Sequence, residues 1–335
     1  MALEIRTLGN RAVSAISLGC MNLSHAYDVT PPEAEAVALL NRALDLGVTM
    51  LDTAALYGGG ENETLIGRAV MHRRAEFTLA SKCVLDMIDG KRSLDGSPAA
   101  ITASIDRSLA RLGTDHIDLM YLHRLDKAVA IEESVGALAR AIEAGKIGMV
   151  GLSEMSAETI RRAHAVHPVA AVQSESSPLV RNPEVAVLET CRELDIAFVA
   201  FSPVARGMLA GAIRDDAYTP GDIRAVMPRF IAPQLAHNLD LVAAFDTAAA
   251  DVGATPAQLA LAWVLSRGPQ VIALPGTRSI AHLEEDLATL ATPIPAATLA
   301  AVDAMFPVEV IAGPRYTAAM QAMIETELLP GEVLA

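Results

Sequence analysis

Four polar residues, Asp52, Tyr57, Lys82 and His123, carry the chemistry that this sequence offers. Three stand at or just after the end of a short apolar run: VTMLD, FTLASK and DLMYLH. Tyr57 follows Asp52 in the next turn. An apolar run ending in a titratable group is how a parallel barrel strand carries a catalytic side chain to the active face. A carbonyl oxygen that gains negative charge needs a proton or a strong donor at that moment. Tyrosine, with an ordinary pKa of about 10, is a poor acid near neutrality. A nearby lysine ammonium favours the phenolate and lowers that value. An aspartate paired with the lysine keeps it charged, and a neutral histidine can donate to the same oxygen. The set predicts reduction of a carbonyl. Taken singly, each residue has a plainer reading. Asp52 with Thr53 could cap a helix, Tyr57 could be a packed aromatic, Lys82 a solvated strand-end charge and His123 a structural histidine. Their order on successive strands argues for the joint reading.

Strands must position these groups, and eight short apolar runs are available: 15–19, 48–52, 77–81, 119–123, 149–153, 169–173, 196–201 and 270–275. Amphipathic stretches separate them. PPEAEAVALLNRALDLG begins with proline, has acids in its first turn and ends in glycine, which are helix start and stop signals. SPAAITASIDRSLARLG places Ile101, Ile105, Leu109 and Leu112 at helical spacing. Eight strand–helix units with strands apolar on both faces predict a parallel sheet covered by helices and closed into a (β/α)8 TIM barrel of the α/β class. The opening EIRTL and AVSAIS, joined at Gly9-Asn10, read as a hairpin. Residues 206–238 break the period as a long loop, the kind that usually binds something. Extra helices are expected before strand eight and at the C-terminus. Residues 1–335 read as a single domain with a core of about 5–320, since no linker interrupts the composition.

Composition narrows the function. The hydrophobic share is 52% and the charged share 20%, a globular balance. A net charge of −14 argues against a nucleic-acid partner. No basic amphipathic stretch, long apolar run or signal-like N-terminus suggests a membrane or secretion, so a cytoplasmic place is expected. Cys20, Cys83 and Cys191 make neither a metal pattern nor a disulfide framework, although Cys20 and Cys83 follow strand ends and could line a pocket. No metal is expected. The GGGEN run after Tyr57 lacks G-x-G-x-x-G spacing and reads as a loop into a helix, not a dinucleotide fingerprint.

The segments DTAALYG, FTLASK, YLHR, GLSE, VQSES, FSPVARG and PGTR with LEED, in this order, resemble the aldo-keto reductases over about residues 5–320. The ending AGPRYTAAM is similar to the bacterial and plant branch of perakine reductase-like enzymes. The resemblance implies a barrel that holds NADP(H) extended, with NAD(H) possible, and a small carbonyl or alcohol substrate. It implies Tyr57 as acid and base, Lys82 and Asp52 as its tuners and His123 as second donor. Ser153, Glu154 and Gln173 would hold the nicotinamide amide, with Glu154 in place of the usual Asn. Phe201 would stack on the ring in place of Tyr. Gly19 and Met21 would approach the cofactor, and Ser202, Pro203, Val204 and Arg206 would follow ribose and pyrophosphate. Pro275, Gly276, Thr277, Arg278, His282, Glu285 and Asp286 would hold the adenosine end. Ser279 replaces a further basic residue and Asp286 an Asn, so the NADPH preference through Arg278 is expected to be weaker than usual.

Strand-end loops would supply the substrate pocket: Met21, Ser24, His25, Tyr27, Leu56, Leu85, Arg124 and Phe230, beside Tyr57 and His123. With aromatics at only 4%, that pocket reads as wide and aliphatic, suited to a bulky ketone. Oligomeric state is open. Two alternatives use the same residues: a cofactor-sensing subunit of the potassium-channel β type, and a lyase or isomerase with Lys82 as a Schiff-base amine.

Overall fold

The structure is a computed structural model that describes residues 3–24, 26–27 and 29–335. β1 (Ile5–Leu8) and β2 (Arg11–Ser14) form the antiparallel hairpin. Gly9 turns it with φ 53°, and a Cβ there would sit 2.7 Å from the Met149 sulfur. Leu8 and Val13 are fully buried with Met50, Ala80, Leu119 and Tyr121, so the hairpin plugs one end of the barrel.

Eight parallel strands make the barrel wall. They are β3 (Leu18–Gly19), β4 (Met50–Asp52), β5 (Thr78–Cys83), then, after the hairpin β6 (Leu85–Ile88) and β7 (Lys91–Leu94), β8 (Ile117–Leu122), β9 (Ile147–Ser153), β10 (Val169–Glu175), β11 (Ala197–Phe201) and β12 (Val271–Leu274). Each pairs with the next in chain order, apart from the separate hairpin. Closure comes from a parallel bridge of Ile16 with Ala273, where Ser17 N donates to Ala273 O and Ala273 N to Ala15 O, both at 2.9 Å. The strands are buried on both faces because helices cover the outside. Leu39, Leu40, Ile66, Ile101, Val135, Leu138 and Ile160 from those helices share one core with the outward faces. Each such burial contributes roughly 1.5–3 kcal/mol.

The helices are α1 (Glu33–Asp45), α2 (Glu61–Val70), α3 (Pro98–Leu112), α4 (Ile131–Glu143), α5 (Ala157–Val166), α6 (Val187–Glu193), α7 (Gln234–Asp251), α8 (Pro256–Leu265), α9 (Ile280–Ala288), α10 (Ala296–Met305) and α11 (Ala318–Gln321). α3 shows how locally these are encoded. The Ser97 side chain accepts from Ala100 N, proline opens the first turn, and Gly113 ends the helix at φ 68°. A 3-10 turn over Asn182–Glu184 precedes α6. The stretch 206–238 is built of short 3-10 turns, and α7 already begins inside it at Gln234. Among the described residues no single helix is long and apolar enough to cross a membrane.

Candidate active site

Parallel strands deliver their C-terminal residues to one face, and the chemistry collects there. Asp52 ends β4, Lys82 lies near the end of β5, and His123 follows β8. Tyr57 opens the 3-10 turn Tyr57–Gly60, whose three glycines all have positive φ. That geometry, open to glycine at no steric cost, folds the turn tightly back into α2. The run is thus an ordered turn, not a loose loop.

Lys82 Nζ ties the group together. It donates to the Asp52 carboxylate, to Thr53 O at 2.9 Å and to Tyr57 Oη at 3.1 Å. Gln173 Nε2 donates to the other Asp52 oxygen at 2.7 Å. The His123 ring meets the Tyr57 ring edge-on, with centroids 5.8 Å apart. Lys82 is 1% exposed and Asp52 2%, whereas Tyr57 at 8% and His123 at 6% keep an open edge. Burial works against charge on Lys82, but Asp52 and Tyr57 outweigh it and hold the ammonium above its ordinary pKa. Burial pushes the Tyr57 phenol above its usual value; Lys82 pulls against this and Asp52 adds to it. The net direction corrects the sequence expectation: burial wins over Lys82, and Tyr57 is a neutral phenol across neutral pH.

A cavity of about 670 Å³ opens over these residues and runs to α9. Met21, Leu56 and Leu85 pack with Tyr57 at one end, joined by Arg124, which donates to His123 O at 2.6 Å and Ser153 Oγ at 3.2 Å. Ser153, Gln173, Phe201, Ser202, Pro203, Val204 and Arg206 line its middle. Ser202, Ala205 and Arg206 all have positive φ, the backbone strain that a binding site tends to retain. Gly19 and Pro275, Gly276, Thr277, Arg278, His282, Glu285 and Asp286 line the far end. Gly276 is packed so closely that a Cβ would lie 2.8 Å from Asn22 Oδ1. Ser279 caps α9 by accepting from His282 N.

Several expected positions fall elsewhere. Glu154 does not line the cavity. Its φ of 55° turns the side chain into the protein, where both carboxylate oxygens are engaged. Phe230 is buried in the outer core with Met227 and Leu235 instead of facing the pocket. Tyr27, by contrast, lines the cavity as expected, with its hydroxyl accepting from Arg206 at 2.9 Å. Ser24 is taken up by Asn62, and Cys20 and Cys83 lie fully buried behind the wall. His25 lies outside the described residues.

Other lining residues have no counterpart in the sequence reading: Asn22, Arg92, Arg224, Tyr316, Met320, Met323 and Ile324. Arg92 arrives on the β6–β7 hairpin, and the last four on the C-terminal segment. Glu175 was also missed. It binds Arg206 through both oxygens, at 3.2 and 2.9 Å, and accepts from Tyr316. Burial would raise its carboxyl, but Arg206 and Arg315 outweigh burial and hold it below the usual range. A buried acid two residues after Gln173 was the available signal.

A barrel with a Tyr–Lys–Asp cluster at its C-terminal face is the architecture of a family with which the chain can be compared directly. The pattern described as the aldo/keto reductase family matches residues 15–306, and the chain belongs to that family of oxidoreductases. It is 42% identical over 325 residues to aldo-keto reductase yakc [NADP(+)] of Schizosaccharomyces pombe, covering 94% of this chain and 95% of the relative. A probable aldo-keto reductase 1 of Glycine max is 38% identical, covering 91% and 88%. Among solved structures, a glycerol dehydrogenase from Gluconobacter oxydans superposes with a TM-score of 0.81 at 26% identity, covering 99% and 98%. An aldo/keto reductase from Klebsiella pneumoniae in complex with NADP and acetate gives 0.72 at 26% identity, covering 92% and 96%.

Proposed function

We propose that this protein interconverts an aldehyde or ketone and its alcohol with NADP(H), Tyr57 exchanging the proton. The observation that carries the reading is the buried Lys82, which bridges Asp52 and Tyr57 beneath one end of a long cavity. The cavity fits an extended dinucleotide. It offers a flat aromatic face at Phe201, a glycine turn too tight for a Cβ at Gly276, and a guanidinium at Arg278 beside the start of α9. A guanidinium suits the extra phosphate of NADP, and the S. pombe relative carries NADP(+) in its name.

When bound, the cofactor supplies or accepts the hydride at the substrate carbon. In reduction the neutral Tyr57 hydroxyl donates its proton to the carbonyl oxygen. Lys82 Nζ, 3.1 Å away, stabilises the phenolate that remains. Asp52 holds Lys82 in place and charged, and Gln173 holds Asp52. His123, against the Tyr57 ring, orients the same oxygen. The raised Lys82 pKa disfavours the Schiff-base alternative, which needs a neutral amine. Met21, Leu56 and Leu85 around Tyr57 support an apolar carbonyl compound, and the cavity leaves space for a bulky one.

The test is NADPH oxidation with a panel of small aldehydes and bulky ketones, for wild type and Tyr57→Phe. The variant is expected to lose on the order of a thousandfold in kcat, the scale of general acid catalysis. Equal turnover would remove the assignment, and strict preference for the small aldehydes would remove the bulky-ketone reading.

A further inference from the structure

Glu154 is fully buried just after β9, next to the cavity residue Ser153, and does not itself line the cavity; its backbone N donates to Gln173 O at 3.1 Å, and its side chain is held elsewhere. Its Oε1 accepts from the Glu175 backbone N–H at 2.6 Å, and its Oε2 accepts from the Thr326 hydroxyl at 2.7 Å. Its backbone carbonyl accepts from Glu325 N at 2.9 Å. Two of these four bonds reach the C-terminal segment, which supplies Tyr316, Met320, Met323 and Ile324 to the cavity.

The same segment is held again at its other end. Tyr316 donates to Glu175, the residue whose N–H Glu154 holds. Two carboxylates at the ends of neighbouring strands therefore grip residues 316 and 326, and the apolar side chains hang between them. Further bonds fix where that stretch lies. Lys127 Nζ, in the loop after His123, donates to Ala322 O at 3.3 Å. Ser156 N and Ala157 N, after Ser153, donate to Glu325 at 3.3 Å and Glu327 at 2.7 Å. The segment thus crosses beside the loops that follow β8 and β9, on the reacting side of the cavity.

We propose that Glu154 is a positioning residue for substrate selection: it clamps residues 316–326 so that Met320, Met323 and Ile324 form a fixed apolar wall against the alkyl part of a carbonyl substrate. This rests on the carbonyl-reductase reading above. Thioether and branched aliphatic side chains recognise hydrocarbon without direction, so the wall favours long or bulky alkyl carbonyls over short ones. The clamp is needed because a short helix of four residues, α11, cannot hold the stretch alone.

Removing Glu154 outright would leave two buried N–H and O–H donors unmatched and endanger folding, so the main probe is Thr326→Val, which keeps the shape and deletes the hydroxyl. Thr326→Ser restores it. Hydrogen exchange measured by mass spectrometry on the protein without substrate reads the clamp directly. Amides of residues 318–326 are expected to exchange about tenfold faster in Thr326→Val and at the wild-type rate in Thr326→Ser, the scale of one lost buried hydrogen bond. Steady-state reduction of octanal and propanal reads the wall. The octanal KM is expected to rise severalfold in Thr326→Val, with propanal kcat and the NADPH dissociation constant, measured by fluorescence titration, unchanged. Unaltered exchange overturns the clamp, and faster exchange with an unaltered octanal-to-propanal ratio overturns the wall. If the wild type reduces neither aldehyde under NADPH while exchange responds as expected, the carbonyl-reductase reading fails and takes the selection role with it.

Discussion

The two ends of the cavity are built on different principles. At the reacting end Asp52, Lys82 and Gln173 sit on strands of the barrel wall, and the Asp52 oxygens are shared between the other two. At the far end Arg278, His282, Glu285 and Asp286 sit on a turn and one helix. The Asp286 carboxylate makes no hydrogen bond or ion pair with the described residues. Strands held on both sides over-determine a side chain; a turn and a helix end leave it adjustable. On the proposed reading, the reacting end is therefore expected to tolerate little change, and the far end is expected to be where affinity and cofactor choice can be tuned.

The sharpest way to break this contrast is Lys82→Met. It removes the cation from a buried carboxylate that cannot rehydrate. Stability is expected to fall by roughly 3–5 kcal/mol, the cost of breaking a buried pair from one side. Turnover is expected to fall on the order of a thousandfold, because Tyr57 loses its stabilising neighbour. Thermal unfolding and kcat check the two effects. A fully stable, active variant would show that the reacting end is no more constrained than the far end.

The next effect concerns pH. The phenol of Tyr57 is raised by burial above its ordinary value, against Lys82 and with Asp52. If Tyr57 exchanges the proton as proposed, reduction uses the neutral form, present throughout neutral pH, and its kcat is expected to stay flat from about pH 6 to 9. On the same proposal, alcohol oxidation uses the phenolate, and its rate is expected to climb about tenfold per pH unit over the same range. A pH–rate profile in both directions checks this, and a flat oxidation profile would remove Tyr57 as the titrating group.

The same contrast explains what the sequence made legible. Strand ends in a parallel barrel all face one way, so the positions of Asp52, Lys82, His123, Ser153 and Gln173 relative to one another follow once the strands are found. The strands are found because both faces are apolar. Glu154 was misread because a φ of 55° decides where its side chain points, and no local pattern states that angle. The bond from Thr326 to Glu154 joins residues far apart in sequence, which is why the C-terminal wall stayed hidden. The β6–β7 hairpin did carry a signal, Asp89-Gly90 with both φ values positive. Its flanking runs, LDMI and KRSL, lack the alternation that would have marked them as strands.

Arg278 tests the far end. Its guanidinium donates to Val29 O at 2.5 Å and lines the cavity beside Ser279, which caps α9 where a second basic residue would serve a phosphate. Arg278→Ala is expected to lower the preference for NADPH over NADH by about ten- to a hundredfold, the worth of one charge-assisted contact. Dissociation constants for both cofactors check it, and an unchanged ratio would remove the phosphate role.

Asp286 gives the smallest effect on turnover. Burial first, and then Glu285, raise its carboxyl to about 7. Other charges do not reach it: α8 carries no titratable side chain, and Arg42 of α1 is held by Glu284. The folded-state value lies above the unfolded one, so stability is highest while Asp286 is protonated and is lost as pH rises through about 7. Asn keeps the shape and cannot ionise. Asp286→Asn is thus expected to raise the unfolding free energy at pH 8.5 by a few kcal/mol, by roughly a third as much at pH 5, and little below about pH 4. A protonated acid, like an amide, can donate to a purine nitrogen, whereas the carboxylate cannot. NADPH affinity in the wild type is therefore expected to weaken about threefold to tenfold between pH 6 and 8.5, and in Asp286→Asn to stay level, on the scale of one hydrogen bond. Fluorescence titration at the two pH values separates these outcomes. Equal slopes in both proteins would mean that Asp286 does not face the adenosine end, and the far end would then be tuned by Arg278 alone.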